Sequence, residues 1–163
     1  MLENTLCALL DFDSESLQQF MGCFTSISFR KGDVFAKVGE LSRKIAYVEK
    51  GVLRAYHGTP TGGEYNKTFF TENTFVGAYS SLVSGQRNLI GIDCLTDCEL
   101  LSADYAQICA LYDRYPKVER LARILAEQFF VRKEKREIEL ATLEAKDRYR
   151  IFQEEHPGLE QRI

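Results

Sequence analysis

The stretch that decides the fold is residues 45–54, IAYVEKGVLR, in which two apolar, β-rich runs flank Lys50-Gly51. A glycine in so short a connection is typical of a tight hairpin. Runs of the same kind, separated by turn residues, recur from Thr25 to Ser102. About eight strands at this spacing predict a closed roll, a jelly roll or a sandwich, because a simple open sheet of this length would leave exposed edges.

Helical segments flank this β-rich region. Residues 11–24 predict a short helix with Ser14 as its N-cap, and residues 104–112 predict a second one. From Lys117 to Glu155 there is neither Gly nor Pro, so a helix there would reach roughly 58 Å if unbroken. The predicted fold class is mainly β with α: a double-stranded β-helix, or jelly-roll-like β-roll, with flanking helices and a long C-terminal dimerisation helix.

The dimer is predicted from an apolar stripe on the long helix. Ile124, Val131 and Ile138 repeat every seven residues, and Leu121 and Leu125 widen the stripe at its start. Charged residues at the companion positions make this a poor isolated coiled coil. The alternative is a helix that lies on its own β-roll. A single small roll cannot cover so long a helix, so the pattern favours a homodimer.

Composition excludes several classes of protein. With 163 residues, 45% hydrophobic and 28% charged, the chain is typical of one globular domain plus an appendage. A net charge of -3 argues against direct contact with the phosphate backbone of nucleic acid. No apolar run approaches the roughly 20 residues of a membrane span. Residues 1–10 carry no basic residue before their apolar stretch, so we expect no secretion signal and a cytoplasmic protein.

Reactive side chains form no catalytic pattern. The five Cys are widely spaced without a C-x-x-C motif, which predicts reduced thiols rather than a metal or iron–sulfur site. A cupin-type metalloenzyme needs several His and a carboxylate on its strands, and only His57 lies in the β-rich region. There is no nucleophile–base pair and no Walker-type loop. We therefore expect no enzyme, no catalytic residue, no metal and no certain cofactor.

The order of these elements resembles the Crp–Fnr (catabolite activator) family of transcription regulators over nearly the whole chain. Residues 29–35 (FRKGDVF), residues 45–54 and Phe75-Val76-Gly77 carry the resemblance. It implies a cyclic-nucleotide-binding-like β-roll at 1–115, a dimerisation helix at 116–144 and the start of a DNA-binding domain at 145–163, with a hinge at Leu143-Glu144.

The resemblance also implies a winged helix-turn-helix, most of which does not fit before Ile163. Either the chain is a shortened form of a longer protein or the protein has lost its reading domain, and the abrupt end favours the first alternative. DNA binding is expected of the longer parent and not of these residues.

The same resemblance implies a phosphate-binding cassette between two strands. In the family a Gly opens a short helix, a Glu beside it binds the ribose, and an Arg followed by a hydroxyl residue pairs with the cyclic phosphate. Here Gly77 is present, but the other three positions hold Ala78, Asn88 and Leu89, and Arg87 lies one residue early. A charged hydrogen bond contributes roughly 1.5–3 kcal/mol, so cyclic AMP is expected to bind poorly.

A second set of residues completes the candidate ligand site. The base-contact positions of the family align with Lys133 and Glu134, and the effector is expected between the roll and the first turns of the long helix. Four of the other candidate residues have an alternative structural role: Ser80 and Ser81 could instead cap the cassette helix, and Thr68 and Phe129 could instead be packing residues. The remaining candidate lining consists of Lys67, Thr68, Tyr79, Ser80, Ser81 and Phe129.

Together these features predict the effector-sensing and dimerisation part of a Crp–Fnr-type regulator, with an unknown small-molecule effector. A stand-alone cyclic-nucleotide-binding-like interaction module is the alternative, and a cupin-type metalloenzyme ranks third.

Overall fold

The computed structural model describes residues 1–58 and 62–163. Within these ranges the chain forms eight strands and six α-helices, with a short 3-10 turn at the end. In chain order the elements are α1 (Leu2–Leu9), α2 (Ser14–Met21), β1 (Thr25–Phe29), β2 (Val34–Ala36), β3 (Lys44–Lys50), β4 (Leu53–Gly58), β5 (Glu64–Phe70), β6 (Phe75–Val76), α3 (Tyr79–Ser84), β7 (Gly91–Cys94), β8 (Cys98–Asp104), α4 (Tyr105–Cys109), α5 (Pro116–Thr142), α6 (Ala145–Glu155) and the 3-10 turn (Leu159–Gln161).

The strands form two antiparallel sheets of four strands, ordered β1-β8-β3-β6 and β2-β7-β4-β5. Alternate residues of several strands belong to one buried apolar cluster, because side chains along a strand point to opposite faces in turn. Leu53 and Ala55 of β4, Ile92 of β7 and Leu100 of β8 belong to this cluster. The predicted mainly β, jelly-roll-like fold with flanking helices is confirmed.

The connection at Lys50-Gly51 is not a hairpin. β3 and β4 lie in different sheets, so this turn carries the chain from one sheet to the other, and β4 pairs with β5 instead. Gly51 has φ +104, and a Cβ atom there would lie 2.5 Å from the Asp97 carbonyl oxygen. The hairpin prediction is wrong because a sharp turn between sheets requires the same glycine as a turn within one sheet.

The N-terminal helices also differ from the prediction. The N-cap of α2 is Asp13 rather than Ser14, since an Asp13 carboxylate oxygen accepts a hydrogen bond from the Ser16 amide at 2.8 Å. α1 was not predicted at all. The Thr5 hydroxyl of α1 lies 2.7 Å from the Tyr47 hydroxyl, so α1 contacts the outer face of the first sheet.

The chain divides into two compact units, residues 1–119 and residues 120–163, and each is described by itself. We call the first the β-roll and the second the helical unit. The helical stretch from Lys117 to Glu155 is broken at Leu143-Glu144, where the resemblance implied a hinge: α5 ends at Thr142 and α6 begins at Ala145. The Lys135 ammonium lies 2.6 Å from the Glu155 carboxylate, so α6 turns back beside α5. None of the helices in residues 1–58 and 62–163 is both long enough and apolar enough to cross a bilayer.

Candidate functional site

The cassette, residues 77–89, begins with a one-and-a-half-turn helix, α3. Its first turn forms where the amides of Ser81 and Leu82 donate to the Ala78 carbonyl, at 2.9 and 3.1 Å. α3 ends at Gly85, whose φ of +68 is the left-handed conformation that glycine adopts at helix ends. In the described part of the chain no side chain caps the start of α3, so the capping role considered for Ser80 and Ser81 is not observed.

Ser81 fastens the cassette to a neighbouring loop. Its side chain is buried, and its hydroxyl donates to the Gln86 carbonyl. The same oxygen accepts a hydrogen bond from the Ser42 amide at 3.2 Å. Ser42 ends the segment 37–42 between β2 and β3, which we call the strap. Ser81 therefore serves the packing of the strap in this structure.

Asn88 provides the strongest link between the cassette and the strap. Its side-chain amide nitrogen donates to the Lys37 carbonyl at 3.0 Å and to the Ser42 hydroxyl at 2.9 Å. Its backbone amide donates to the Glu40 carbonyl, and its carbonyl accepts from the Gly39 amide, both at 2.8 Å. These four bonds hold the strap across the end of the cassette.

The carbonyl oxygen of the Asn88 side chain behaves differently. Asn88 is only 3% exposed, yet its Oδ1 has no hydrogen-bond partner in residues 1–58 and 62–163. A buried acceptor without a donor costs about 1–3 kcal/mol, so this atom is an unsatisfied acceptor at the position that the family fills with a cation. An acceptor can bind a donor group and repels a phosphate oxygen.

Arg87 and Leu89 point away from the interior. The Arg87 guanidinium is exposed and donates to the Gly39 carbonyl at 2.8 Å. Leu89 is 80% exposed, and its carbonyl oxygen lies 3.1 Å from Nδ1 of His57. Arg87 is the only basic residue between Gly77 and Leu89, so the one cation of the cassette is the one that binds the strap.

The other candidate residues are dispersed. Thr68 is half-buried on β5 opposite Ala55, and Lys67 is exposed at the bulge in the β4–β5 pairing. Phe129 lies on α5 in the helical unit and is exposed. Gly77 starts the cassette, where a Cβ atom would meet Leu82 Cδ1 at 3.3 Å. The structure thus groups the cassette residues themselves, whereas Lys67, Thr68 and Phe129 lie on other elements.

A cluster of tyrosines positions the cassette helix. The ring of Tyr79, the first residue of α3, meets the ring of Tyr105 on α4 edge-on, with centroids 6.1 Å apart. Burial, followed by neighbouring phenol and thiol groups, raises the pKa of both Tyr105 and Tyr112. These hydroxyls therefore stay protonated and pack as neutral groups. Sequence reasoning missed Tyr105 and Tyr112, since 26 or more residues separate them from Tyr79 and no short motif joins them.

A second unexpected group lies on the outer face of the β2-β7-β4-β5 sheet. The Arg54 guanidinium donates to both carboxylate oxygens of Asp93, at 2.8 and 2.9 Å, and also to Glu64 and Asn66. Hydrogen bonding to Asp93 is the main reason that the pKa of Arg54 is raised. Because it binds these three neighbours, the Arg54 guanidinium links β4 to β5 and β7.

The predicted dimer residues differ in exposure. Leu121 is buried within the single chain, while Ile124 and Leu125 are half-buried. Val131 is 62% exposed and Ile138 is 57% exposed. In the described ranges there is also no group of three or more His, Cys, Asp and Glu side chains that could hold a metal ion.

Comparison with known proteins identifies the domain type. The family model described as "Cyclic nucleotide-binding domain" matches residues 26–115, more than half of the chain. Comparison with the curated proteins gives no match.

Several solved structures share the fold. The catabolite activator protein of Thermus thermophilus matches with 21% identity and a TM-score of 0.68, covering 84% of this chain and 62% of that protein. The c-di-GMP responsive global regulator CLP of Xanthomonas campestris matches with 18% identity and a TM-score of 0.67, covering 83% of this chain and 68% of that one. The sensor domain of the transcriptional regulator DNR from Pseudomonas aeruginosa matches with 19% identity and a TM-score of 0.62, covering 86% and 90%. The chain thus spans less than two thirds of the Thermus protein.

Proposed function

Because this chain belongs to the cyclic nucleotide-binding domain family, we propose that it is the effector-sensing and dimerisation part of a Crp–Fnr-type transcription regulator whose cassette does not take cyclic AMP. The observation that carries the second half of the proposal is the state of Asn88. Its amide nitrogen is already bound to the strap, and its oxygen is an unsatisfied acceptor.

The cassette residues do not fit a cyclic phosphate. Ala78 is buried among apolar side chains, and its methyl side chain cannot accept a hydrogen bond from a ribose hydroxyl. Asn88 supplies no charge, and the exposed Arg87 binds the strap. Several charge-assisted hydrogen bonds are therefore missing, each of which contributes roughly 1.5–3 kcal/mol. A missing 1.4 kcal/mol weakens binding about tenfold, so cyclic AMP is expected to bind orders of magnitude more weakly than at a complete cassette.

The effector class follows from the same residues. A ligand that reached Asn88 would meet an acceptor at its buried Oδ1, while the one cation of the cassette, Arg87, is bound to the Gly39 carbonyl. These groups favour a ligand that is neutral at that point and donates a hydrogen bond, such as an amide, an amine or a hydroxyl. They disfavour an anionic ligand, since burying an unpaired anion is costly. Such an effector would act by binding two states of the dimer with different affinity.

The dimerisation part of the proposal is supported by the surface of α5. Phe130, Val131 and Ile138 lie on one helix and are each more than half exposed. Leaving this apolar area in water is unfavourable, and an exposed apolar patch is typical of a surface that binds another protein. A second copy of the chain offers the same stripe, and two such stripes can pack against each other around a two-fold axis. The occupant proposed for this face is therefore a second α5.

DNA contact is proposed only for a longer parent protein. Most basic side chains of α5 are paired with carboxylates, as in Arg123–Glu127 at 2.6 Å and Lys133–Glu137 at 3.6 Å. Paired cations at a net charge of -3 do not favour the phosphate backbone. A cytoplasmic location goes with this role. We favour the role as part of a regulator over that of a stand-alone interaction module because of the exposed stripe on α5.

A binding experiment tests the proposal directly. We expect cyclic AMP at 1 mM to leave the Tm of the chain unchanged in a thermal-shift assay. The stabilisation by a ligand depends on its concentration relative to Kd (about 2.7 kcal/mol at 100 times Kd), and this cassette is expected to bind cyclic AMP weakly. A panel of neutral amides, amines and polyols, together with c-di-GMP, is measured in parallel. A saturable rise in Tm with a neutral donor supports the proposed effector class.

The variant Arg87→Ala is the control for cyclic AMP. If cyclic AMP raises the Tm of the unchanged chain and Arg87→Ala abolishes the rise, Arg87 leaves the strap to bind phosphate and the proposal is wrong. A rise that survives in Arg87→Ala contradicts it equally, since the phosphate is then bound without that cation.

A further inference from the structure

Exposed apolar side chains are concentrated on the strap and the cassette. In the described part of the β-roll seven large apolar residues are exposed, and four of them lie on these two short segments. Val38 and Leu41 of the strap are each 53% exposed, while Val83 and Leu89 of the cassette are 61% and 80% exposed. Single exposed apolar residues are ordinary on a protein surface, but several together mark a surface that binds another molecule.

Hydrogen bonds between the two segments bring these side chains into one area. The Gly39 amide directly follows Val38, and it donates at 2.8 Å to the carbonyl of Asn88, the residue before Leu89. The peptide groups next to Val38 and Leu89 are thus in contact, so these two residues are neighbours. The peptide carbonyl directly before Leu41 accepts the Asn88 amide, also at 2.8 Å.

Val83 lies near the same area. The Ser42 amide, which directly follows Leu41, donates to the Ser81 hydroxyl at 3.2 Å, and Val83 is two residues further along α3. None of the four exposed residues belongs to the core cluster, so the fold of the β-roll gains little from their apolar character. We call them the apolar patch: Val38, Leu41, Val83 and Leu89.

The charges around the apolar patch are mostly basic. The strap contains Lys37 and Glu40, whose side chains pair at 3.7 Å. Arg43, directly after the strap, and Arg87 of the cassette add two exposed cations. The group that Arg87 binds, the Gly39 carbonyl, leaves its positive charge unneutralised. This surface therefore carries an excess of positive charge, although the whole chain has a net charge of -3.

The charge distinguishes between the partners that such a patch could bind. A second copy that used the same patch about a two-fold axis would bring equal positive charges together, which is unfavourable. An anionic membrane attracts clusters of about four to eight basic residues, whereas Arg43 and Arg87 are the two cations here without a carboxylate beside them in the strap or cassette. A protein segment with acidic and apolar side chains matches both properties of the surface.

We propose that the apolar patch, with Arg43 and Arg87 at its rim, docks an acidic segment of another protein. A large apolar side chain of that segment packs against Val38 and Leu89 and supplies most of the affinity. Carboxylates of the segment pair with the two arginines, where they guide association and select the partner. The patch shares no residue with the exposed stripe on α5, so a dimer formed through α5 carries two such patches.

Photo-crosslinking in the cells that naturally make the protein identifies the segment. p-Benzoylphenylalanine replaces Leu89 in one variant and Val34 in a control, because Val34 is also exposed but lies at the start of β2, outside the patch. Mass spectrometry of the cross-linked peptides gives their sequence. We expect the label at position 89 to capture a segment of another protein that is rich in Asp and Glu and has large apolar residues. The label at position 34 should not capture it.

A synthetic peptide with the captured sequence then measures the contact. Fluorescence anisotropy with the purified 163-residue chain gives its Kd. Leu89→Asp and Arg43→Glu should each raise this Kd at least about tenfold, since one removes the apolar contact and the other reverses a rim charge. Lys31→Glu is the matched control, because it reverses an exposed charge in the turn between β1 and β2, and it should leave the Kd nearly unchanged. All three positions are exposed, so the Tm of each variant should equal that of the unchanged chain.

Several results would overturn the proposal. One is a label at position 89 that captures no other protein, or only a segment without an excess of acidic residues. Another is a peptide whose Kd is the same for Leu89→Asp as for the unchanged chain. Sedimentation of the chain with vesicles of phosphatidylglycerol and phosphatidylcholine, lost in Arg43→Glu, would assign the surface to lipid instead. None of these measurements involves the effector, so this proposal and the proposed function succeed or fail separately.

Discussion

The β-roll and the helical unit differ in where their apolar side chains lie. In the β-roll, residues such as Leu53, Val76 and Leu100 are fully enclosed between the two sheets. In the helical unit, Phe130, Val131 and Ile138 are exposed on α5, and α5 and α6 are joined by the Lys135–Glu155 ion pair. The core cluster lies entirely within the β-roll.

This difference indicates two sources of stability. Burial of apolar area is the dominant favourable contribution to folding, so the β-roll has what it needs to fold by itself. Exposed ion pairs contribute little, with a median of about 0–1 kcal/mol. The helical unit is therefore expected to gain most of its stability from association with a second copy. Four variants, ordered by the size of their expected effect, test this contrast.

The largest effect is expected in the core of the β-roll. Leu100→Ala removes a side chain that is 0% exposed and leaves a cavity between the sheets. We expect the free energy of unfolding to fall by about 2–5 kcal/mol. Urea denaturation followed by circular dichroism measures the loss. A loss below about 1 kcal/mol would mean that the interior collapses around the gap and that the β-roll is less well packed than its burial indicates.

The second effect is on assembly. Val131→Glu combined with Ile138→Glu places two charges on the exposed stripe of α5, where dimerisation would bury them. We expect the dissociation constant of the dimer to rise at least about 100-fold, since each 1.4 kcal/mol of lost binding free energy weakens binding tenfold. Sedimentation velocity over a concentration series measures it.

Leu140→Glu is the matched control for this double variant. Leu140 is 50% exposed on the same helix but lies on the opposite side from Ile138, because two residues advance the helix by more than half a turn. It should leave the dissociation constant nearly unchanged. An unchanged chain that sediments as a monomer at all concentrations would contradict the dimer itself.

The third effect tests a polar contact inside the β-roll. Asn88→Ala removes the donor to Lys37 and Ser42, and with it the unsatisfied acceptor. Losing these hydrogen bonds costs more free energy than removing the unsatisfied acceptor regains. We therefore expect about 1–2 kcal/mol of destabilisation and faster amide hydrogen exchange in the strap. Leu89→Ala, at a neighbouring exposed position, should change neither quantity.

The smallest effect is expected from an ion pair of the helical unit. Lys133→Ala removes the 3.6 Å pair with Glu137 on the surface of α5. We expect a change below about 0.5 kcal/mol, because water screens both charges. The same denaturation measurement detects it. A loss comparable with that of Asn88→Ala would mean that charges stabilise the helical unit as strongly as buried polar contacts stabilise the β-roll.

Local pattern was enough to predict the strands and not the way in which they assemble. About eight strands were predicted from Thr25 to Ser102, and the structure describes eight, because alternation and flanking turn residues are local signals. The turn at Gly51 was misassigned because pairing partners are a property of the whole roll. α1 was missed since its eight residues give only two buried positions, Leu2 and Leu6, which is too short a pattern to distinguish a helix.

The candidate site was predicted in part for the same reason. The cassette helix and Asn88 follow from position along the chain. The strap does not, because Lys37 and Ser42 are joined to Asn88 by contacts between residues 46 or more apart. The ion cluster around Arg54 escaped notice as well, since Glu64, Asn66 and Asp93 meet only after β4, β5 and β7 align.

The aromatic contact between α3 and α4 has a practical consequence for spectroscopy. The chain has no Trp, so its near-ultraviolet absorption and emission come mainly from eight Tyr. Tyr79 and Tyr105 share an edge-on ring contact, and burial keeps the Tyr105 and Tyr112 phenols neutral at high pH. Any shift of the cassette helix would change the asymmetry around these rings. The protein therefore contains its own optical probe of that helix, and circular dichroism near 280 nm can follow it without a label, at about the wavelength where tyrosine absorbs.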